Sequence, residues 1–361
     1  MESASKVVTT EGARRFLGYE RSRLGIEFVM GVEETRIAII GCGSAARIHL
    51  GRLVGLPEVR IVACVDPDRD AAAALAASVP PDRGPAAAYS DHAEMLRQAN
   101  PRAIAIFTPH LMHYRPAMDA LQSGCHVFIE KPLSTNTQEA VDIVRLARAR
   151  NRKVGVGHQY RLRPSLERAR SLIAQGAIGR IRLVEATLAQ PWLANHAGAE
   201  NSWRFDPKIS GGGILADAGD HLIDALLWTT GQTASQVSAL QDRLEAKLDV
   251  VTAATIRLDQ GTLAILSVSG VSPESVFELV YFGDRGRITA TDRSLTIHDE
   301  NAGRDLPASL PEATETIDSN FIAAITADRP LCCPADEAVD TVRLLEAIHQ
   351  SVATSQVVQV S

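Results

Sequence analysis

The sequence predicts an α/β chain in two parts: a doubly wound parallel sheet, then an α+β domain with a large, mostly antiparallel open sheet. Two observations carry this. Between Arg36 and about residue 159, short apolar runs alternate with helical periodicity, the rhythm of βαβ units. After about residue 180, strand-like runs succeed one another across short polar or glycine turns, with no helix between most of them. The 361 residues allow two domains, and 45% apolar with 22% charged residues suits a chain with a real core.

The elements follow in order. RIAII (36–40), RIVACVD (60–66), AIAIFTP (103–109), HVFIEKP (126–132) and KVGVGHQ (153–159) read as strands. They are continuously apolar, as strands covered on both faces must be. Between them, RIHLGRLVGL, an alanine-rich stretch (70–78), LMHYRPAMDALQSG and TQEAVDIVRLARARN read as helices. In the second part RIRLVEATLAQ, SQVSALQD, VVTAATIRLD, GTLAILSVSG, SVFELVYFG and GRITATD read as strands. One strong helix, ILADAGDHLIDALLWTTG (214–231), precedes most of them, and two helices follow near 316–327 and 335–352. The boundaries become 1–34 for a weakly ordered extension without catalytic role, 35–155 for the first domain and 156–361 for the second.

Charge narrows the partners. With 37 basic and 43 acidic residues the net charge is −6, which supports neither nucleic acid nor an anionic membrane as partner. No run approaches the ~20 apolar residues of a membrane span. The five cysteines (42, 64, 125, 332, 333) show no metal-ligand spacing and read as reduced thiols in a cytoplasmic protein. The N-terminal stretch lacks the apolar core of a secretory signal.

GCGSAA (41–46) follows a strand and opens a helix, the G-x-G-x-x-A form of the dinucleotide fingerprint that marks a Rossmann domain. Gly41 permits the tight turn, Gly43 lets the backbone approach a pyrophosphate, and Ala46 lets the helix pack close. Amides at the helix start then face the phosphates. Asp66 closes the second strand, where an acid accepts hydrogen bonds from a ribose 2′-hydroxyl and repels a 2′-phosphate. That favours NAD, while Arg69 leaves NADP open. Thr108 and Pro109 end the third clear strand, as cofactor wall or as a plain turn.

The chemistry-bearing residues lie in two further segments. IEKPLSTN (129–136) sets Glu130 and Lys131 at a strand end, an expensive place for a lysine unless a partner or substrate meets it. Glu130 is assigned to the cofactor side. A cis Lys131–Pro132 bond would turn the lysine into the crevice. GGGILADAGDH (211–221) runs three glycines into Asp217, Asp220 and His221. On a regular helix Asp217, His221 and Asp224 share one face, so two carboxylates would flank the imidazole and fix its tautomer, while Asp220 points elsewhere. Gly211–Gly213 serve either close approach of a ligand or a flexible helix entry. A metal site is disfavoured, because further soft ligands are missing at suitable spacing. His158, Tyr160, Trp203 and Arg204 are the candidate substrate-binding residues, and His113 reads as structural or cofactor-adjacent.

From about Arg36 onward the chain resembles the Gfo/Idh/MocA oxidoreductases, named for glucose–fructose oxidoreductase and inositol dehydrogenase. GCGSAA, EKP, and GGGILADAGDH followed by LID carry the resemblance. It implies a Rossmann domain, a second domain whose open sheet forms oligomer contacts in a homodimer or homotetramer, a nicotinamide cofactor, and a sugar, cyclitol or related polyol as substrate. Lys131, Asp217 and His221 match the family's catalytic positions. In that role His221 takes the proton of a secondary alcohol, Lys131 stabilises the developing alkoxide, and Asp217 orients substrate or imidazole. The alternatives are a redox-neutral enzyme, in which transient oxidation permits an elimination, and a dinucleotide-binding sensor without catalysis.

Overall fold

The computed structural model describes residues 34–196, 202–299 and 304–360. The expected N-terminal extension lies, up to residue 33, outside the described residues. The strands of the first part are β1 (Thr35–Ile40), β2 (Val59–Val65), β3 (Ala87–Tyr89), β4 (Ala103–Ile106), β5 (His126–Ile129) and β6 (Val154–Val156). They form one parallel sheet in the order β3-β2-β1-β4-β5-β6. The order reverses beside β1, and ligands of such sheets settle outside the strand carboxyl ends at that point.

Helices α1 (Ser44–Leu53), α2 (Arg69–Ala77), α3 (His92–Ala99), α4 (Tyr114–Gln122) and α5 (Thr137–Arg150) connect these strands. Side-chain caps set several starts: Asp68 accepts from the amides of Asp70 and Ala71, Asp91 from Glu94, and Asn136 from Glu139. Strand β3 and helix α3 are unread from sequence; they are short, β3 three residues, AAY, and α3 eight.

The second part begins with α6 (Pro164–Ala174), also unread from sequence, and β7 (Ile181–Ala189). A short α7 (Trp192–Asn195) and α8 (Asp220–Thr230) precede β8 (Ala234–Asp242), β9 (Val251–Leu258), β10 (Leu263–Ser269), β11 (Val276–Gly283), β12 (Arg287–Thr291), β13 (Leu295–Asp299) and β14 (Arg304–Pro307). Then come α9 (Ile317–Ala327), α10 (Ala335–Thr354) and β15 (Val358–Gln359). The nine-stranded sheet runs β14-β13-β12-β11-β7-β10-β9-β8-β15, antiparallel except where β7 meets β10. Alternating burial along β9 shows one face on the core and one open.

The two cores do not divide at residue 155. Ile317, Phe321, Ile322, Ile325 and Val339 pack into the core of the parallel sheet, while Leu344, Leu345 and Ile348 pack into that of the nine-stranded sheet. Helices α9 and α10 thus bridge the two sheets, and the chain from Thr35 onward forms one compact unit.

Helix 214–231 starts differently from its sequence reading. Leu215–Gly219 form a single π-turn, and regular α-helix begins at Asp220. Asp249, buried on the β8–β9 connection, holds this entry: its Oδ1 accepts from Gly213 N at 2.7 Å and its Oδ2 from Leu215 N at 2.9 Å. A side chain at Gly213 would collide with the Asp249 carbonyl. Asp249→Ala should therefore cost about 2–4 kcal/mol of stability, two buried amides losing a charged acceptor. Urea unfolding checks this, with Asp249→Asn falling between the variant and the parent.

Candidate active site

The glycine turn after β1 is dictated by packing. Gly41 has φ +87°, and a Cβ there would sit 2.7 Å from the carbonyl carbon of Phe107. Ala46 is fully buried beneath the turn. Gly43, by contrast, faces open space. Asp66 sits at the mouth: one carboxylate oxygen accepts from Cys42 N at 2.9 Å, the other from Asp68 N at 3.0 Å. Thr108 Oγ1 is buried without a hydrogen-bond partner, and the Pro109 turn leads straight into the site. An open glycine face, an acid after β2 and an orphaned hydroxyl fit a dinucleotide lying across the strand ends.

Lys131 follows β5, and its bond to Pro132 is cis. Its Nζ lies 3.1 Å from Asp217 Oδ1 and also donates to the Asp217 carbonyl. The second carboxylate oxygen of Asp217 accepts from Trp192 Nε1 at 2.9 Å and from Arg204 Nε at 3.0 Å. Burial alone would raise the Asp217 carboxyl, but Lys131 and Arg204 hold it far below the usual carboxylate range. Burial likewise works against the Lys131 ammonium, and Asp217 with Glu130 and Asp220 outweighs it, raising its pKa above 10.5. Lys131 is therefore a fixed donor, not a base.

His221 is only 7% exposed. Burial first, then the charges of Lys131, His158 and Arg163, push its pKa well below 6.5, so the ring is neutral at pH 7. Its Nδ1 is buried with no hydrogen-bond partner. The two flanking carboxylates expected from the sequence do not orient it. Asp217 turns to Lys131, and Asp224 is forked by Arg161 at 2.7–3.1 Å. For Asp217 the cause is the π-turn, which breaks the 3.6-residue spacing to His221; Asp224, three residues on in the same α-helix, is drawn off by Arg161. Tyr160 stacks on His221 instead, centroids 4.1 Å apart and planes within 6°.

Asp220 points into the protein and pairs with His158 at 2.5 Å. His158, expected at a pocket wall, is instead fully enclosed, with its other nitrogen 3.3 Å from Cys333 Sγ. Burial opposes its protonation, but Asp224 and Asp220 raise its pKa well above 6.5. His158, Asp224 and Cys333 do bring ligating atoms within 4.8 Å of one another. The Arg161 fork and the proton on His158 already supply the positive charge there, so the cluster does not fit a metal.

Glu130, assigned to the cofactor side, faces α1: its carboxylate meets His49 Nε2 at 3.3 Å and the Lys131 amide at 2.9 Å. His49 Nδ1 in turn meets Asp318 Oδ1 at 2.6 Å. His113 is structural, its ring nitrogens 2.7 Å from the Pro132 carbonyl and 2.9 Å from that of Thr108. Trp203 and Arg204 do join the site; the guanidinium lies 4.5 Å over the indole. Sequence reading passed over Trp192, His49, Arg163 and His110. His110 is buried, bonded to the Ser210 carbonyl at 2.8 Å and edge-on to Trp203 at 4.7 Å. Its place directly after Thr108 and Pro109 was a usable signal; nothing local marks Trp192 or Arg163.

Residues 35–158 match a family described as "Oxidoreductase family, NAD-binding Rossmann fold", and residues 166–289 match the GFO/IDH/MocA C-terminal domain. The chain belongs to the Gfo/Idh/MocA oxidoreductase family. The chain is 28% identical over 198 residues to D-glucoside 3-dehydrogenase of Escherichia coli, covering 54% of each chain. It is 26% identical over 311 residues to UDP-N-acetylglucosamine 3-dehydrogenase of Acidithiobacillus ferrooxidans, covering 82% of this chain and 91% of that one. The match spans about half the length of several curated relatives, with 56%, 54% and 44% covered in three of them. In fold it superposes on the WlbA dehydrogenase from Bordetella pertussis, solved with NADH and UDP-GlcNAcA. There the TM-score is 0.77 and the identity 21%, over 91% of this chain and 99% of that one. No helix among the described residues is long and apolar enough to cross a membrane.

The His49 pair predicts a pH effect. Burial would lower its pKa, but Asp318 and Glu130 raise it from 6.5 to about 9. The folded chain thus keeps a proton that the unfolded chain releases near 6.5. The stability from these contacts is full below pH 6.5 and lost as pH rises to about 9. Unfolding of the parent followed across this window should show about 3 kcal/mol of loss that His49→Gln lacks, on top of the same-signed loss from His158, which the variant keeps. Equal slopes in parent and variant would contradict the pairing.

Proposed function

We propose that the protein is an NAD-dependent oxidoreductase acting on a secondary alcohol of a sugar, cyclitol or related polyol. One observation supports this above all. A permanently charged Lys131, its partner Asp217 and a neutral His221 meet at the carboxyl ends of a dinucleotide-binding sheet. The sugar 3-dehydrogenases among its relatives point to the same substrate class.

When bound, the nicotinamide supplies the hydride acceptor. Gly41–Ala46 and Asp66 would hold the dinucleotide, and Asp66 favours NAD over NADP. Lys131 donates a hydrogen bond to the substrate hydroxyl oxygen and stabilises its negative charge as the O–H bond breaks. Asp217 keeps the ammonium aimed through Oδ1. His221 takes the proton on Nε2, since Nδ1 is enclosed. Tyr160, Trp203 and Arg204 form the substrate wall, with Trp192 bracing Asp217. A homodimer or homotetramer would form on the open sheet face, where Leu263, Ile265 and Val276 are exposed.

A screen of sugars, cyclitols and sugar acids with NAD and NADP in parallel, read by reduced-cofactor absorbance, tests the proposal. Product without accumulating reduced cofactor would favour the redox-neutral alternative. On a substrate so found, Lys131→Ala and His221→Ala should each lower kcat by about 100-fold or more while cofactor affinity is retained. Unchanged turnover in both would refute the assignment. The acid limb of kcat/KM for oxidation should lie below pH 6.5, because His221 is already neutral there; a limb centred at or above 6.5 would contradict it. Ile265→Lys should reduce the assembled mass in light scattering.

A further inference from the structure

Something other than a hydrogen bond must orient His221. Its Nδ1 has no partner, Asp217 is committed to Lys131, Trp192 and Arg204, and Asp224 to Arg161. A histidine acting on a substrate proton normally has its far nitrogen held by a carboxylate or carbonyl, which sets the ring plane. Here an aromatic face lies against the ring instead. Tyr160 lies parallel to the imidazole at 4.1 Å. On the opposite face of the same phenol, the Arg163 guanidinium carbon sits 3.2 Å from the ring centroid. Phe277, on β11, closes the stack: its ring meets Tyr160 edge-on at 5.0 Å and lies under Arg163 at 4.7 Å.

We propose that Arg163 and Tyr160 are positioning residues, the guanidinium clamping the phenol ring and the phenol ring setting the plane of the His221 imidazole. The proposal rests on the reading of His221 as the proton acceptor. The sequence places both residues for this: Tyr160 lies in the turn after β6, and Arg163 directly precedes Pro164, the first residue of α6. A cation over an aromatic face is attracted by the ring quadrupole. With Arg163 on one face, a second cation on the other is repelled, so the stack also favours the uncharged imidazole. The other charged groups around His221 are Lys131 from the end of β5, His158 from the turn after β6, and Asp217, Asp220 and Asp224 from its own helical segment. Asp217, Asp220 and Asp224 are paired with Lys131, His158 and Arg161, and the His158 ring meets the His221 ring edge-on at 6.1 Å. Of the cations around His221, Arg163 is the one that reaches the imidazole through an intervening aromatic ring.

Histidine labelled at Cε1 in the full-length chain tests this by NMR without a substrate, with His221→Asn assigning the resonance. In the parent, the His221 signal should be shifted upfield by the stacked ring and should stay at its neutral position down to pH 6.5. Arg163→Leu should raise its titration midpoint by about one pH unit and weaken the ring shift. Arg163→Lys, which keeps a cation but not the planar fork, should keep the midpoint below that of Arg163→Leu, and Tyr160→Phe, which keeps the ring, should retain the ring shift. Tyr160→Leu should abolish the ring shift. A His221 signal unmoved in folded Arg163→Leu, or displaced as far by Tyr160→Phe as by Tyr160→Leu, overturns the proposal. Turnover of His221→Asn reports separately on the base assignment: full activity there sinks that reading, whereas an unmoved resonance sinks the stack alone.

Discussion

The grip of the Asp217 carboxylate organises the site. Its two oxygens reach a lysine on the parallel sheet, a tryptophan on the short helix after β7 and an arginine on the following loop. Three separate stretches of chain thus converge on one buried anion. Its surroundings are low in dielectric, with Lys131 and Asp217 side chains 12% and 14% exposed, so the pair is strong only while it stays intact. Removing either charge would strand the other in a place that cannot solvate it.

The same pairwise neutralisation recurs behind the site. Helix α8 is buried nearly all round, yet carries Asp220, His221 and Asp224 on consecutive turns. Asp220 is offset by His158, Asp224 by Arg161, and Glu130 on the neighbouring strand end by His49, which it shares with Asp318 while Arg52 also meets Asp318. His221, His110 and His113 remain without a carboxylate partner, and burial keeps all three neutral. An uncharged imidazole beside a permanent ammonium is the arrangement that proton abstraction from an alcohol requires.

Much of this was legible beforehand. The alternation of apolar runs and helices fixes the parallel sheet, because strands buried on both faces cannot hide their composition. Gly41, Gly43 and Asp66 stand at spacings that only a strand–turn–helix makes sense of. Lys131 and His221 were legible for a different reason, since ionisable residues at a strand end and on an apolar helix are costly without a task. What was lost depended on geometry that no spacing carries. The π-turn at Leu215–Gly219 has no sequence mark, so counting at 3.6 residues per turn set Asp217 beside the imidazole; Asp224 keeps its helical spacing but is taken by Arg161. His158 reads as substrate-binding because it follows a strand end; its partners Asp220 and Cys333, far off in the chain, enclose it instead. Trp192 and Arg163 act through contacts with residues remote from their own segments.

The central claim is that the Lys131 ammonium and the His221 imidazole address the same reacting carbon over a bound nicotinamide. A crystal structure of the full chain with NAD measures this most directly. The account predicts the pyrophosphate at the Gly41–Ala46 turn, the adenosine ribose on Asp66, and the nicotinamide ring with its reactive face toward Lys131 and His221. A nicotinamide ring bound on the far side of β5 from Lys131, or a cofactor that leaves the glycine turn empty, would contradict it.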